Sequence, residues 1–264
     1  NWQWRMSQQA LGIVNFNNPK TVCTVHHIVE HKLNEQEFAF RDEVVDVYHV
    51  PNKITQNCLE KYTDKQIEVI PYWYNKNKWK NIGDKQACRE INNLPKNKIL
   101  IGSFQRDTEA DGIQPKLEKG PDVFCDVVES LGDDVHVVLA GWRRSYIINR
   151  LKEKNISYSY FELVNDESLN ILYNSLDYYL VTSRVQGGPQ AILEASACVT
   201  KVLSTDVGMA SEVLEKNSIC QSKDDFVEKI KNDEKQVSNW LPLRLDQFEL
   251  NNLGKSYFNF FKNV

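Results

Sequence analysis

The run Ser183-Arg-Val-Gln-Gly-Gly-Pro-Gln-Ala-Ile-Leu-Glu-Ala-Ser-Ala197 holds the residues of this chain best spaced for chemistry. An apolar strand pattern ends at Ser183, Gly187 and Gly188 follow, and Pro189 opens a helical pattern, as helix starts prefer. Glycines let ligand atoms come close to the backbone, and a helix start presents unpaired N–H groups reinforced by its dipole. Such an arrangement binds an anion. Glu194 stands about one and a half turns into the helix, where its carboxylate can accept hydrogen bonds from a ribose diol. Phosphate at a helix start with an acidic residue on the sugar is a recurring way to hold a nucleotide. The same pattern also fits an ordinary strand–loop–helix with a glutamate on its surface.

Composition narrows the classes of partner. The chain has 264 residues, 41% apolar and 26% charged, enough for two small domains with real cores. Its net charge is −4 with Lys and Arg scattered among Asp and Glu, which argues against nucleic acid as the main partner. Six cysteines, at 23, 58, 88, 125, 198 and 220, show no C-x-x-C spacing, and Cys23, Cys125 and Cys198 lie in apolar runs. Free thiols in a reducing compartment, hence a cytoplasmic location, are expected rather than zinc or disulfides. His31, His49 and His136 show no metal-ligand grouping, and no carboxylate cluster suits Mg²⁺, so neither metal nor cofactor is expected. No uninterrupted apolar run approaches about 18 residues, so no membrane span is expected, although peripheral membrane contact stays open. No secretory leader is visible, and the chain opens at Asn1 without a Met, which reads as a processed or truncated start.

The elements that must position the glycine loop are legible around it. Lys98–Phe104, Val135–Gly141, Ile156–Glu162, Asp177–Ser183, Lys201–Thr205 and Ser218–Cys220 read as strands. Gly120–Leu131, Ser145–Lys154 and the stretch from Asn165 to Leu176 read as helices between them, Asn165 serving as a cap. Short apolar runs alternating with helices predict a parallel sheet covered on both faces, doubly wound in the α/β manner. The first part repeats the theme with strands over Lys20–Ile28, Val44–Val50 and Gln66–Trp73 and helices over Glu35–Val45 and Asn52–Tyr62. The polar stretch Asn75–Lys98 reads as the linker, and Trp2–Val14 as a further helix. An aromatic-rich helix over Leu245–Phe261 must dock on something, and the cleft between the halves is the expected place. The division is therefore 1–95, 96–244 and a helix at 245–264.

In detail the glycine segment resembles the signature of glycosyltransferase family 4, in which a Glu-Gly-x-Pro loop leads into Glu-Ala-x-Ala on the helix. Gln186 and Glu194 have the spacing of the family's two glutamates, with Gln at the first position. Ile101-Gly-Ser-Phe-Gln-Arg106 and Lys116-Leu-Glu-Lys-Gly-Pro121 resemble the segments that carry the family's basic pair. Ser204-Thr-Asp-Val-Gly-Met-Ala-Ser-Glu212 is similar to its Gly…Glu segment, and Thr24-Val-His-His27 and Val69-Ile-Pro-Tyr72 to features of its first domain. The motifs run in order from about Lys20 to Leu214, each adding to the others.

The resemblance implies a GT-B architecture: two Rossmann-like domains across a cleft, with a nucleotide-sugar donor, UDP- or GDP-linked, held mainly by the second. It implies sugar transfer to a glycan, lipid or small-molecule acceptor with retention of anomeric configuration and no bound metal. Arg106 and Lys119 would then stabilise the departing diphosphate, Arg as a planar fork and Lys as a mobile point charge. Pairing of Arg106 with Asp107 or Glu109, and a solvated Lys119, are the plain alternatives. Strand alternation sends His26 and His27 to opposite faces, and the family places its cleft histidine at His26. Phe161–Leu163 is where such folds hold the base. The six tryptophans offer a sugar-stacking platform, although most are expected in core or interface.

Two departures weaken the match. Gln186 carries no charge and can only hydrogen-bond the transferred sugar or the acceptor. The first half is also short for a six-stranded domain, lacking the first strand and glycine-rich loop, so a partner or oligomer would complete it. A degenerate relative that binds a sugar nucleotide or a partner without turnover is therefore the alternative; an epimerase of the same architecture would need acid/base carboxylates that the sequence does not offer.

Overall fold

The computed structural model describes residues 20–232 and 245–264; the reading of 2–14 as a helix, and Trp2, Trp4 and Trp240, lie outside them. The second half is built on six parallel strands: β4 (Ile99–Ser103), β5 (Val135–Ala140), β6 (Tyr158–Phe161), β7 (Tyr178–Val181), β8 (Lys201–Thr205) and β9 (Ile219–Cys220). Their order across the sheet is β6-β5-β4-β7-β8-β9, so the winding reverses between β4 and β7. β5 and β7 are buried along their whole length, which is why they read as apolar runs, broken by His136 in β5, rather than alternating ones. Helices α4 (Pro121–Leu131), α5 (Ser145–Glu153), α6 (Asp166–Ser175), α7 (Gln190–Ala197) and α8 (Ala210–Val213) form the crossovers, and α9 (Lys223–Lys231), after β9, packs against α4. Two apolar clusters, one on each face of the sheet, form its core.

The first half is a smaller parallel sheet in the order β1 (Val22–Thr24), β2 (Val47–Val50), β3 (Ile67–Val69). All three strands are shorter than the sequence suggests. Helix α1 (Glu35–Asp42) is capped by Asn34, and α2 (Lys53–Leu59) by Asn52, whose side-chain oxygens accept from backbone N–H groups of the first turn. Phe38, Val45, Tyr48, Val50 and Leu59 form a compact core on one face.

The stretch expected as a linker is instead packed structure. Asp84 caps α3 (Lys85–Ile91), Cys88 and Arg89 are buried, and Trp79 and Leu94 join the core of the second sheet. Arg89 donates to the Ser175 carbonyl at 2.9 Å and to the Asp177 carboxylate at 2.6 Å, while Asn170 and Asn174 accept from the backbone of Lys80 and Ile82. Its many Lys and Asn residues made this segment look like a linker, but Trp79 packs edge-on against Tyr173 of α6. The division at 95/96 thus falls inside a segment packed on the second sheet.

At the other end the chain returns to the first half. A short turn of 3-10 helix, Asp246–Phe248, sets Phe248 in the core of the second sheet, and α10 (Leu250–Asn263) crosses to the open face of the first. There Phe260 packs with Val47 and Ile70, and the Tyr257 hydroxyl reaches the Ile70 and Pro71 carbonyls, each at 3.2 Å. All six cysteines are free thiols. Among the described residues no helix is long and apolar enough to cross a membrane.

Candidate functional site

A doubly wound sheet leaves a crevice beyond the carboxyl ends of its strands where the winding reverses. Here that point lies between β4 and β7, and the segments leaving those strands carry Gln105 and Arg106 on one side and Ser183 to Gly188 on the other. Lys119 joins them through a backbone constraint. Gly120 adopts φ +61, a left-handed conformation, and a Cβ at this position would overlap the Thr182 carbonyl. Only glycine lets α4 start so close to β7. Glu118 and Gly120 are stitched to the loop beyond β7: Arg184 and Val185 donate to the Glu118 carbonyl, and Thr182 Oγ1 donates to that of Gly120 at 2.8 Å.

Arg106, Lys119, Gln105 and Thr182 line one small cavity at this point. Arg106 is exposed and Lys119 half-buried. The nearby acids are engaged elsewhere: Asp107 with the buried Arg144, Glu109 with Lys116, Glu118 with Lys32 and Asp122 with Arg184. Among the described residues no carboxylate pairs with Arg106 or Lys119, so the alternative pairing of Arg106 with Asp107 or Glu109 is not what forms. Burial, and then the charges of Lys116 and Arg106, bring the Lys119 pKa down to about 8. Two cations held together without a counter-charge make a place for a polyanion.

Beneath them the Arg144–Asp107 pair fixes the loop that carries Arg106. Arg144 donates to the Ser103 carbonyl at 2.7 Å, the Ala140 carbonyl at 3.2 Å and Asp107 at 3.1 Å, tying the ends of β4 and β5 to that loop. Burial pushes the Asp107 carboxyl pKa up, against the pull of the Arg144 charge. Sequence reading missed this pair, whose members stand 37 residues apart.

Glu194 lies in α7 with its carboxylate largely buried, accepting from the Tyr173 hydroxyl at 2.9 Å. Burial raises its pKa, and the Tyr173 hydrogen bond partly offsets this. Gln186 accepts at Oε1 from Ser183 Oγ at 2.8 Å, which holds its amide at the end of β7. Gly187 and Gly188 do permit a close approach, and here protein makes it. A Cβ on Gly187 would overlap the His26 carbonyl oxygen, and one on Gly188 would press on the Tyr72 ring and Met209. His26 Nδ1 meets the Tyr72 hydroxyl. Its neighbour His27 has its pKa lowered by burial and then by the Lys119 charge. Alternation does not separate the two histidines, because β1 ends at Thr24, before them.

Among the tryptophans, Trp79 is buried against Tyr173, Trp73 packs edge-on against Tyr257, and Trp142 is exposed at the end of β5. Leu163, beyond β6, is also exposed. Among the described residues no group of three or more His, Cys, Asp or Glu is placed to hold a metal ion.

Two parallel Rossmann-like halves, with unpaired cations and a glycine loop at the switch point of the second, define a protein of GT-B architecture. The family model for glycosyl transferases group 1 matches residues 84–239, more than half of the chain, and the chain belongs to that family. In structure it is similar to Anabaena HepE in complex with UDP and glucose, at TM-score 0.77 and 14% identity over 93% of this chain and 72% of that one. It is also similar to a sucrose-phosphate synthase from Thermosynechococcus elongatus, at TM-score 0.77 and 16% identity over 99% and 71% of the two chains. A glycosyltransferase from Rickettsia africae aligns at TM-score 0.71 and 18% identity over 97% and 73%. No curated protein sequence matches the chain significantly.

Proposed function

We propose that the protein transfers a sugar from a UDP- or GDP-linked donor to a glycan, lipid or small-molecule acceptor, with retention of configuration and without a metal. The observation that carries this reading is the pair Arg106 and Lys119 at the switch point of the sheet, with no carboxylate partner among the described residues. A leaving nucleoside diphosphate gathers negative charge as the glycosidic bond breaks. Fixed cations in a partly dry crevice stabilise that charge without rearranging. Glu194, on the adjoining helix, accepts from the ribose hydroxyls, and Gln186 hydrogen-bonds the transferred sugar or the acceptor. His26 supplies a further hydrogen bond from the first half. The UDP and glucose in the HepE structure support this class of donor.

The test is a thermal-shift panel with UDP, GDP and ADP followed by sugar release from matched donors, with and without acceptor and with EDTA. Stabilisation by one nucleoside diphosphate and EDTA-resistant, acceptor-dependent release are expected, since a bound ligand stabilises by mass action. Gln186 favours a second reading, because an amide supplies no charge to a developing positive anomeric carbon: a protein that binds the donor, or a partner, without turnover. Donor binding with no release by either wild type or Gln186→Glu would select that reading. Absence of nucleotide binding would remove both.

A further inference from the structure

One side chain of the first half reaches the donor loop of the second. Asn52 is fully buried at the start of α2 and does two things at once. Its Oδ1 accepts from Thr55 N at 2.8 Å, which caps the helix, and its Nδ2 donates to the Gly187 carbonyl, 135 residues away in sequence. Beside it Lys53 N donates to the Glu212 carboxylate at 2.9 Å. Gly187 is confined from the other sides as well. A Cβ on it would overlap the His26 carbonyl, and one on Gly208, at φ +57, would press on the Gln186 and Gly187 carbonyls. Among the described residues no protein acceptor takes the N–H of Gln186, Gly187 or Gly188. The carbonyl of Gly187 is thus held while the amide donors around it stay available.

We infer that Asn52 is a positioning residue for the donor loop: by fixing the Gly187 carbonyl it sets the direction of the Gly188 N–H, which shares that peptide plane, toward the sugar end of the donor. This rests on the proposed function. The capping half of the Asn52 amide serves the fold and the donating half serves the site. A residue that caps but cannot donate across therefore separates the two roles. Serine caps a helix about as well as asparagine and is too short to reach Gly187; aspartate also caps, and places a carboxylate against the Gly187 carbonyl.

The experiment measures affinities of wild type, Asn52→Ser and Asn52→Asp for a nucleoside diphosphate and for its nucleotide sugar, with melting temperature alongside. Asn52→Ser is expected to melt within a few degrees of wild type and Asn52→Asp, which buries a carboxylate, lower, and both are expected to keep nucleoside diphosphate affinity within about threefold, because Arg106 and Lys119 are untouched. Affinity for the nucleotide sugar is expected to fall about tenfold in Asn52→Ser and further in Asn52→Asp, the loss of a buried hydrogen bond and then a repulsion. A purely structural role would lower melting temperature and both affinities together, and would overturn the inference. So would unchanged discrimination between sugar-bearing and bare nucleotide in both variants. Wild type that binds no nucleotide at all would instead overturn the proposed function.

Discussion

Lys119 carries its charge against its surroundings, because burial and the neighbouring charges of Lys116 and Arg106 all favour the neutral amine. A lysine whose folded-state pKa lies below its unfolded value costs stability while charged, and that cost is relieved as pH rises from about 8 toward the ordinary lysine value. A diphosphate bound there, as proposed, would reverse the balance by supplying a counter-charge. Nucleoside diphosphate affinity should therefore fall as pH is raised from about 7 to 9, with proton uptake on binding seen as buffer-dependent heat in calorimetry. Lys119→Met should raise the melting temperature of the unliganded protein while removing most of the nucleotide-induced shift; a pH-independent affinity would place the anion elsewhere. Lys119→Ala and Arg106→Ala should each weaken diphosphate binding by roughly ten- to a hundredfold and nucleoside binding hardly at all, the worth of one charged hydrogen bond. Glu194 gives the converse. Its buried carboxylate accepts from Tyr173, and Glu194→Ala should weaken a ribonucleotide strongly while sparing inorganic pyrophosphate. Equal binding of ribo- and 2′,3′-dideoxy nucleotides by the unmutated protein would exclude the ribose role.

At the scale of elements, the position of Lys119 depends on the turn that precedes α4. Gly120→Ala introduces a left-handed non-glycine residue and a methyl that overlaps the Thr182 carbonyl, so the start of α4 must move away from β7. Nucleotide affinity should drop with Lys119 displaced, while circular dichroism stays close to wild type; unchanged affinity would show that the turn does not set the site. How much was legible in the sequence follows from what each element buries. β4, β5 and β7 were readable because strands covered on both faces are mostly apolar, and the Asn165 cap of α6 marked its helix. Segment 75–98 was misread because half of it is Lys and Asn, while what anchors it, Arg89 on Asp177, is a polar contact 88 residues away in sequence. The glycine loop was readable as a loop, and the protein groups that fill its approach, His26, Tyr72 and Asn52, were not. Local pattern reports what a segment needs to bury, never which distant segment supplies the partner.

For the whole molecule, the two halves differ in how they are held. The second sheet has extensive clusters on both faces, whereas the first has a five-residue buried core on one face and depends on α10 for the other. Arg106, Lys119 and Glu194 all belong to the second. Stability and binding are therefore separable by where a cavity is made. Phe260 is buried on Val47 and Ile70 and touches the ring of the buried His49, so truncating it removes the centre of that contact. Phe260→Ala should cost about 3–5 kcal/mol where the side chain is well packed, and the loss should fall on the first sheet. Hydrogen exchange should speed up across β1 to β3 and α10 while β4, β5 and β7 stay protected, as expected when cooperative units open separately. Nucleoside diphosphate affinity should change little, because Arg106, Lys119 and Glu194 keep their supports. Discrimination in favour of the nucleotide sugar should weaken, since Asn52 and His26 reach Gly187 from the half that has loosened. Uniform acceleration of exchange across both sheets would instead mean that the halves unfold as one unit and that α10 stabilises both.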